Sequence, residues 1–190
     1  EILLRKYTER ELARMRYVYT CLLYEGSKFL LMYVIFSLFQ MDREYLMAIA
    51  VLLSIRNFSG GIHLSTYVGC FLFTFFFLLG ALCASRTIVP PPPVQNTVLL
   101  LGAFILFCVG PVTSDNRPKL TGRQERIYKS ISCAVTFLYF LLFLCEKTFT
   151  YRNLMFWVIV FQILQLIAAK ICKKGDHHEK NSTKCTRVPL

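Results

Sequence analysis

The residues best suited to chemistry are His63 and Cys70, which have six residues between them and lie at the junction of two apolar stretches. A thiol near an imidazole supplies a nucleophile and the base that activates it. Arg56 precedes the pair, and a nearby cation stabilises the thiolate, which is the reactive form of cysteine. The alternative interpretation is a histidine in a polar loop and a cysteine that only packs among apolar residues.

The spacing of this pair sets a condition on the backbone between its two members. In one continuous helix they would stand about 10.5 Å apart along the axis, which is too far for a hydrogen bond. The chain must therefore bend, and Gly60 and Gly61 give it that freedom just before the histidine. Ser65 or Thr66 is predicted to cap the next helix, and that would place Cys70 in the second turn.

The elements that must position these residues are membrane helices. Apolar residues make up 55% of the 190-residue chain, charged residues make up 17%, and the mean hydropathy is +0.50, so an ordinary soluble domain is excluded. We predict an all-α, polytopic membrane protein with about six transmembrane helices, centred on residues 27–41, 45–55, 67–84, 97–112, 131–145 and 154–169. The second stretch is too short to span alone and is interpreted as a half-helix that stops inside the bilayer.

The whole chain, residues 1–190, is interpreted as one integral membrane domain. Residues 1–25 are predicted to form an amphipathic, basic segment that lies on the anionic inner leaflet. Residues 174–190 are predicted to be a disordered cytoplasmic tail. The net charge of +11 is assigned to lipid contacts, so we do not expect a nucleic acid partner.

The distribution of basic residues predicts the orientation of the helices. Six crossings place 18 of the 22 Lys and Arg residues on one side of the membrane. Because basic residues favour the cytoplasmic side, we expect both termini and the His63 loop to be cytoplasmic, with the run Pro90 to Pro93 outside.

Bound metals and disulfides are not predicted. Most of the eight cysteines lie in or beside apolar stretches, where free cysteine behaves as a small hydrophobic residue. The chain has no CxxC or HExxH motif, so we expect no metal ion and no other cofactor.

The group that would orient His63 is left open among four polar residues: Glu25, Gln40, Asp115 and Asn116. Glu25 is favoured, because an ionisable group at membrane depth is costly without a role. Its alternative role is an ion pair with Lys28 on the same helix face. Arg56 is expected to stabilise the thiolate or the oxyanion, to bind an acidic part of a substrate, or simply to snorkel from a helix end.

The segment from Arg56 to Cys70 resembles the active-site region of the accessory gene regulator B (AgrB) family. Members of that family look like R-x4-G-x-H-x6-C, and Arg56, Gly61, His63 and Cys70 have this spacing. The segment 110–120, GPVTSDNRPKL, is similar to the family's Pro-Val followed by an Asn-basic-Pro cluster. Length, six-span layout and a basic fourth loop agree, so the resemblance covers nearly the whole chain.

The resemblance implies a bacterial membrane cysteine endopeptidase that processes the precursor of a cyclic autoinducer peptide used in quorum sensing. It implies that Cys70 attacks a scissile carbonyl and holds the N-terminal part of the precursor as a thioester, while His63 moves the protons. A thiol or hydroxyl of the peptide would then displace the cysteine and close a thiolactone or lactone ring.

The implied partners are a precursor peptide of the AgrD type, anionic lipids and a second copy of the chain. The small-residue step from Gly80 to Ala84 also favours a homodimer. An alternative from another class is a non-enzymatic small-peptide transporter or channel subunit, in which His63 and Arg56 would line a polar pathway.

Overall fold

The computed structural model describes residues 8–61, 66–111, 121–145 and 150–185, with side chains except at positions 9, 10, 13, 14, 17, 21 and 173–185. The described chain forms six α-helices: α1 (Glu9–Leu38), α2 (Asp42–Ser59), α3 (Tyr67–Thr87), α4 (Pro92–Val109), α5 (Gly122–Cys145) and α6 (Arg152–Cys185). Each predicted apolar stretch falls mainly within its own helix. The prediction of an all-α membrane protein is therefore confirmed.

The first three helices alternate in direction. Tyr24 contacts Tyr67 with their ring centroids 5.8 Å apart, and Phe36 contacts Phe75 at 5.6 Å, so α1 and α3 run parallel. α2 returns between them, because the short turn at residues 39–41 connects it directly to α1. These contacts place the α2–α3 junction beside the middle of α1, near Tyr24.

The last three helices continue the alternation. Trp157, near the start of α6, donates to the backbone carbonyl of Ile88 at the end of α3 over 2.9 Å. Further along α6, Lys170 donates to the carbonyl of Val109 at the end of α4. α5 begins beside that same point, since Lys129 lies against Gly110. All six helices therefore cross the bundle.

The bundle has two ends, which we name by their contents. The Cys70 end comprises the part of α1 around Tyr24 and Lys28, the α2–α3 and α4–α5 junctions and the part of α6 around Lys170. The Pro90 end comprises the other three junctions. The six helices agree with the predicted number, and five of them are long and apolar enough to cross a membrane. A crossing by α2 and the orientation of the two ends in a cell stay predictions.

α2 differs from its prediction. Five helices, all except α2, are long and apolar enough to cross a membrane. α2 carries four charged residues, Asp42, Arg43, Glu44 and Arg56, yet it runs unbroken for 18 residues, or about 27 Å. It contacts α1, α3, α5 and α6 and buries one face among them. α2 is longer than the predicted stretch 45–55, because the charged residues near its ends interrupt the apolar run, and its end inside the bilayer stays a prediction.

The two terminal segments continue helices of the bundle. The backbone N–H and the hydroxyl of Thr8 both donate to the carboxylate of Glu11 over 2.8 Å, and this capping box starts α1. α1 then continues without a break through the predicted amphipathic segment into the first span. α6 likewise extends to Cys185, into the segment that was predicted to be disordered.

α3 and α4 approach α6 closely at two glycines. A Cβ atom on Gly80 would stand 3.1 Å from the Phe161 ring, and one on Gly102 would collide with Ile163. The small residue at Gly80 is thus used for packing inside one chain. A homodimer through the step from Gly80 to Ala84 stays a prediction.

Candidate active site

The backbone bend predicted near the glycines is present. α2 ends at Ser59, and Gly60 has φ 73° and ψ −154°, a conformation that is essentially restricted to glycine. The N–H of Gly60 donates to the carbonyl of Arg56 over 2.9 Å and so closes the last turn of α2. His63 itself lies outside the described residues, as do its neighbours at positions 62, 64 and 65.

The predicted cap of α3 is Thr66. Its hydroxyl oxygen accepts a hydrogen bond from the backbone N–H of Gly69 over 3.2 Å. Cys70 is the fourth residue of the helix, and its N–H donates to the carbonyl of Thr66 over 3.0 Å. The cysteine therefore stands where the first turn passes into the second, close to the positive end of the helix dipole.

The environment of Cys70 separates it from the other described cysteines. Six free cysteines are described, and Cys70, at 6% exposure, is the buried one. Cys133 is half-buried, and the remaining four, Cys83, Cys108, Cys145 and Cys172, lie on the outside of the bundle. Cys70 is therefore the cysteine that the bundle encloses among those the structure describes.

A buried lysine contacts the Cys70 thiol. The Nζ atom of Lys28 lies 3.4 Å from Cys70 Sγ and 2.7 Å from Glu25 Oε1, and the lysine is only 5% exposed. Its ammonium also lies 5.8 Å from the centre of the Tyr67 ring. From the sequence, Lys28 was expected only in the ion pair with Glu25. Its contact with Cys70 joins α1 to α3, and the two residues are 42 positions apart in the chain. A lysine at membrane depth was the available signal.

Aromatic and hydroxyl contacts fix α1 against the start of α3. The hydroxyls of Ser27 and Tyr67 lie 3.0 Å apart, and the rings of Tyr24 and Tyr67 pack at 5.8 Å. The hydroxyl of Tyr45 on α2 donates to the backbone carbonyl of Phe29 on α1 over 2.8 Å. These contacts position Lys28 against Cys70.

Arg56 and two glutamines of α6 surround the bend that leads to His63. The Nε atom of Arg56 and the Nε2 atom of Gln165 lie 3.8 Å and 2.9 Å from the position of a Cβ atom on Gly61. Gln162 donates to the hydroxyl of Ser59 over 3.1 Å and to the carbonyl of Gly60 over 3.0 Å. α6 therefore supports the bend, and the glycine at position 61 permits its close approach.

Two glutamine side chains of α6, beside Gly60 and Gly61, carry buried polar atoms that lack a hydrogen-bond partner among the described residues. The amide of Gln165 and the Oε1 atom of Gln162 are buried, and the described part of the chain offers them no hydrogen-bond partner. Neither glutamine was predicted from the sequence as a site residue. Two glutamines in an otherwise apolar helix were the signal that could have found them.

The candidates for orienting His63 are separated by the fold. Glu25 lies at the Cys70 end and pairs with Lys28. Gln40 follows the last turn of α1 at the Pro90 end, about 18 Å along that helix from Lys28, so it lies far from Cys70. Asp115 and Asn116 lie outside the described residues. Among the described residues, no three His, Cys, Asp or Glu side chains form a group that could hold a metal ion.

Comparisons with known proteins place the chain among its relatives. The model of the family described as Accessory gene regulator B (AgrB) matches residues 2–166. An AgrB-like protein from Clostridium beijerinckii is 27% identical over 165 residues, which cover 84% of this chain and 79% of that protein. No solved structure matches the chain. The matched region includes α1 to α5, the candidate site and most of the membrane-spanning part of α6.

Proposed function

This chain belongs to the accessory gene regulator B family, and from that premise we propose that it is a cysteine endopeptidase that cleaves and cyclises a small precursor peptide. Family membership itself connects this multi-pass membrane protein with autoinducer processing. The observation that supports the finer proposal is the Cys70 thiol, buried at the start of α3 and in contact with an ammonium group. Such surroundings favour the nucleophilic thiolate.

In the first step, Cys70 attacks the scissile carbonyl of the precursor. A carbon–sulfur bond forms, the peptide carbon–nitrogen bond breaks, and His63 donates a proton to the leaving amine. The N-terminal part of the precursor remains on the enzyme as a thioester, and the C-terminal part departs.

In the second step, a side-chain thiol or hydroxyl of the bound peptide attacks the thioester. His63 accepts the proton of this group, the new ring closes, and Cys70 leaves as a thiolate. Exchange of one thioester for another is close to thermoneutral, whereas hydrolysis is downhill, so exclusion of water favours the ring. The burial of Cys70 supports this outcome.

We place the Cys70 end at the cytoplasmic face. Basic side chains gather there at the last turn of α2, the first turns of α5 and the second half of α6: Arg56, Arg123, Arg126, Lys129 and Lys170. Because basic residues favour the cytoplasmic side, a precursor of the AgrD type would reach Cys70 from the inner leaflet. Anionic lipids and a second copy of the chain are further proposed partners.

The proposed activity is tested by co-expressing the chain with a cognate precursor. Cys70→Ala and His63→Ala are expected to abolish processing, while Cys83→Ala, on the same helix but at the opposite end, is expected to process normally. Immunoblotting of membranes for each variant controls for expression. Processing of the precursor by Cys70→Ala at the parental level would overturn the proposal.

A further inference from the structure

We infer that Lys28 is a catalytic residue whose ammonium group holds the Cys70 sulfur as a thiolate before attack and again when the ring closes. The inference rests on the proposed function, since it assigns a role within that reaction. It starts from the direct contact of 3.4 Å between Lys28 Nζ and Cys70 Sγ, in which both side chains are buried.

The position of Lys28 is costly without an anion on the Cys70 side. A lysine that is 5% exposed inside a membrane helix must have partners for its charge and its three N–H donors. The Glu25 carboxylate supplies one partner at 2.7 Å, but its side chain is 44% exposed. Its charge is therefore screened more than that of the lysine. A thiolate at 3.4 Å completes the set of partners.

The other groups around Lys28 do not replace this anion. From α3, Tyr67 offers the face of its ring, and its hydroxyl is bonded to Ser27. From α2, Tyr45 donates to the carbonyl of Phe29, and Arg56 lies beside Gly61. The carboxylate of Glu25 and the sulfur of Cys70 are the acceptors that Lys28 contacts among the described residues.

The ammonium group of Lys28 leaves the bonds that form and break unchanged. It stabilises the charge on the Cys70 sulfur, while His63 transfers the protons. During attack, the electron pair of the thiolate forms the carbon–sulfur bond, and the positive charge of Lys28 remains in place. During ring closure, the carbon–sulfur bond returns that pair to the sulfur beside the same ammonium. Lys28 neither gives nor takes a proton in the cycle, so the two proton transfers belong to another group.

The test is the pH profile of alkylation at Cys70 by iodoacetamide, measured on the full chain in nanodiscs and read by mass spectrometry of the Cys70 peptide. In Lys28→Met, we expect the alkylation profile to move to higher pH and the alkylation rate near pH 7 to fall by about tenfold or more. Each pH unit by which the profile moves lowers the thiolate fraction at a fixed pH by about tenfold. Lys28→Arg retains the charge and is expected to stay near the parent.

The matched control is Lys170→Met, which removes a lysine at the same end of the bundle that donates to the carbonyl of Val109. It is expected to leave the profile unchanged. If Lys28→Met does not fold with Glu25 unpaired, the double variant Glu25→Gln with Lys28→Met removes both charges and is expected to move the profile in the same direction by a smaller amount, because the lysine contacts the sulfur directly and the carboxylate does not.

An alkylation profile of Lys28→Met that superimposes on that of the parent would overturn the inference. A profile that moves in His63→Ala but not in Lys28→Met would overturn it as well. These results are independent of the proposed function. Alkylation reports on the thiol whether or not a peptide is processed, whereas normal processing by Cys70→Ala would refute the peptidase proposal alone.

Discussion

Gly60→Ala tests whether the bend between α2 and α3 is required by the fold. Gly60 has φ 73° and ψ −154°, and its carbonyl accepts a hydrogen bond from Gln162 over 3.0 Å. A side chain in this region costs about 1–3 kcal/mol, which corresponds to roughly 2–12 °C in Tm for a chain of this size. We therefore expect Gly60→Ala to lower the Tm and to reduce precursor processing.

Two further glycines give a graded comparison. A Cβ on Gly61 would meet Gln165 Nε2 at 2.9 Å, but this atom is the tip of a flexible and unpaired side chain, so Gly61→Ala is expected to cost less. Gly26 lies in the middle of α1 with no atom within 4 Å of a Cβ position. Gly26→Ala is expected to be neutral or to stabilise by up to about 1 kcal/mol.

The assay is thermal unfolding of the three variants in the same detergent, followed by size-exclusion chromatography. The expected order of stability is Gly26→Ala, then Gly61→Ala, then Gly60→Ala. If Gly60→Ala is as stable as Gly26→Ala, the positive φ at position 60 is not a property of the folded chain, and the account of the bend is refuted.

Three other predictions use the same measurements. Glu25→Gln removes the anion that opposes Lys28, so the alkylation profile of Cys70 should move to lower pH; a displacement to higher pH would contradict the assigned charges. Thr66→Ala should destabilise by about 1 kcal/mol through loss of the α3 cap, with Thr87→Ala, whose hydroxyl only bonds to the carbonyl of Cys83, as control. Arg152→Met should destabilise by about 1–3 kcal/mol, because the buried guanidinium donates at the Pro90 end to Gln95, Asn96 and the carbonyl of Phe143, and these acceptors lose their donor. Its alkylation profile at Cys70 should match the parent, and equal Tm values for Arg152→Met and the exposed-site variant Arg86→Met would contradict the structural role.

Local features of the fold were predictable from the sequence because their causes are local. Apolar runs located the six helices, and the residue types at Gly60 and Thr66 identified the bend and the cap. Helix ends were less accurate, as α2 shows, because charged residues at the ends of a helix look like loops in a hydropathy pattern. The pairing of Glu25 with Lys28 followed from their spacing of three residues on one helix.

Contacts between helices distant in sequence were not predictable. The approach of Lys28 to Cys70 depends on α1 and α3 running parallel at a particular register, and no spacing rule relates residues 42 apart. The same holds for Arg152, whose partners Gln95 and Asn96 belong to α4, and for Gln162 beside Gly60. These groups are polar residues inside apolar helices, which marks them as candidates without identifying their partners.

Detection of the acyl-enzyme is the most direct test of the proposal that Cys70 is the nucleophile. The full chain is incubated with its precursor peptide, quenched with acid, digested and analysed by mass spectrometry. The account predicts an adduct on Cys70 with the mass of the N-terminal part of the precursor, released by hydroxylamine and absent in Cys70→Ala. Cleavage of the precursor with no adduct on Cys70, or with the adduct on another cysteine, would contradict it.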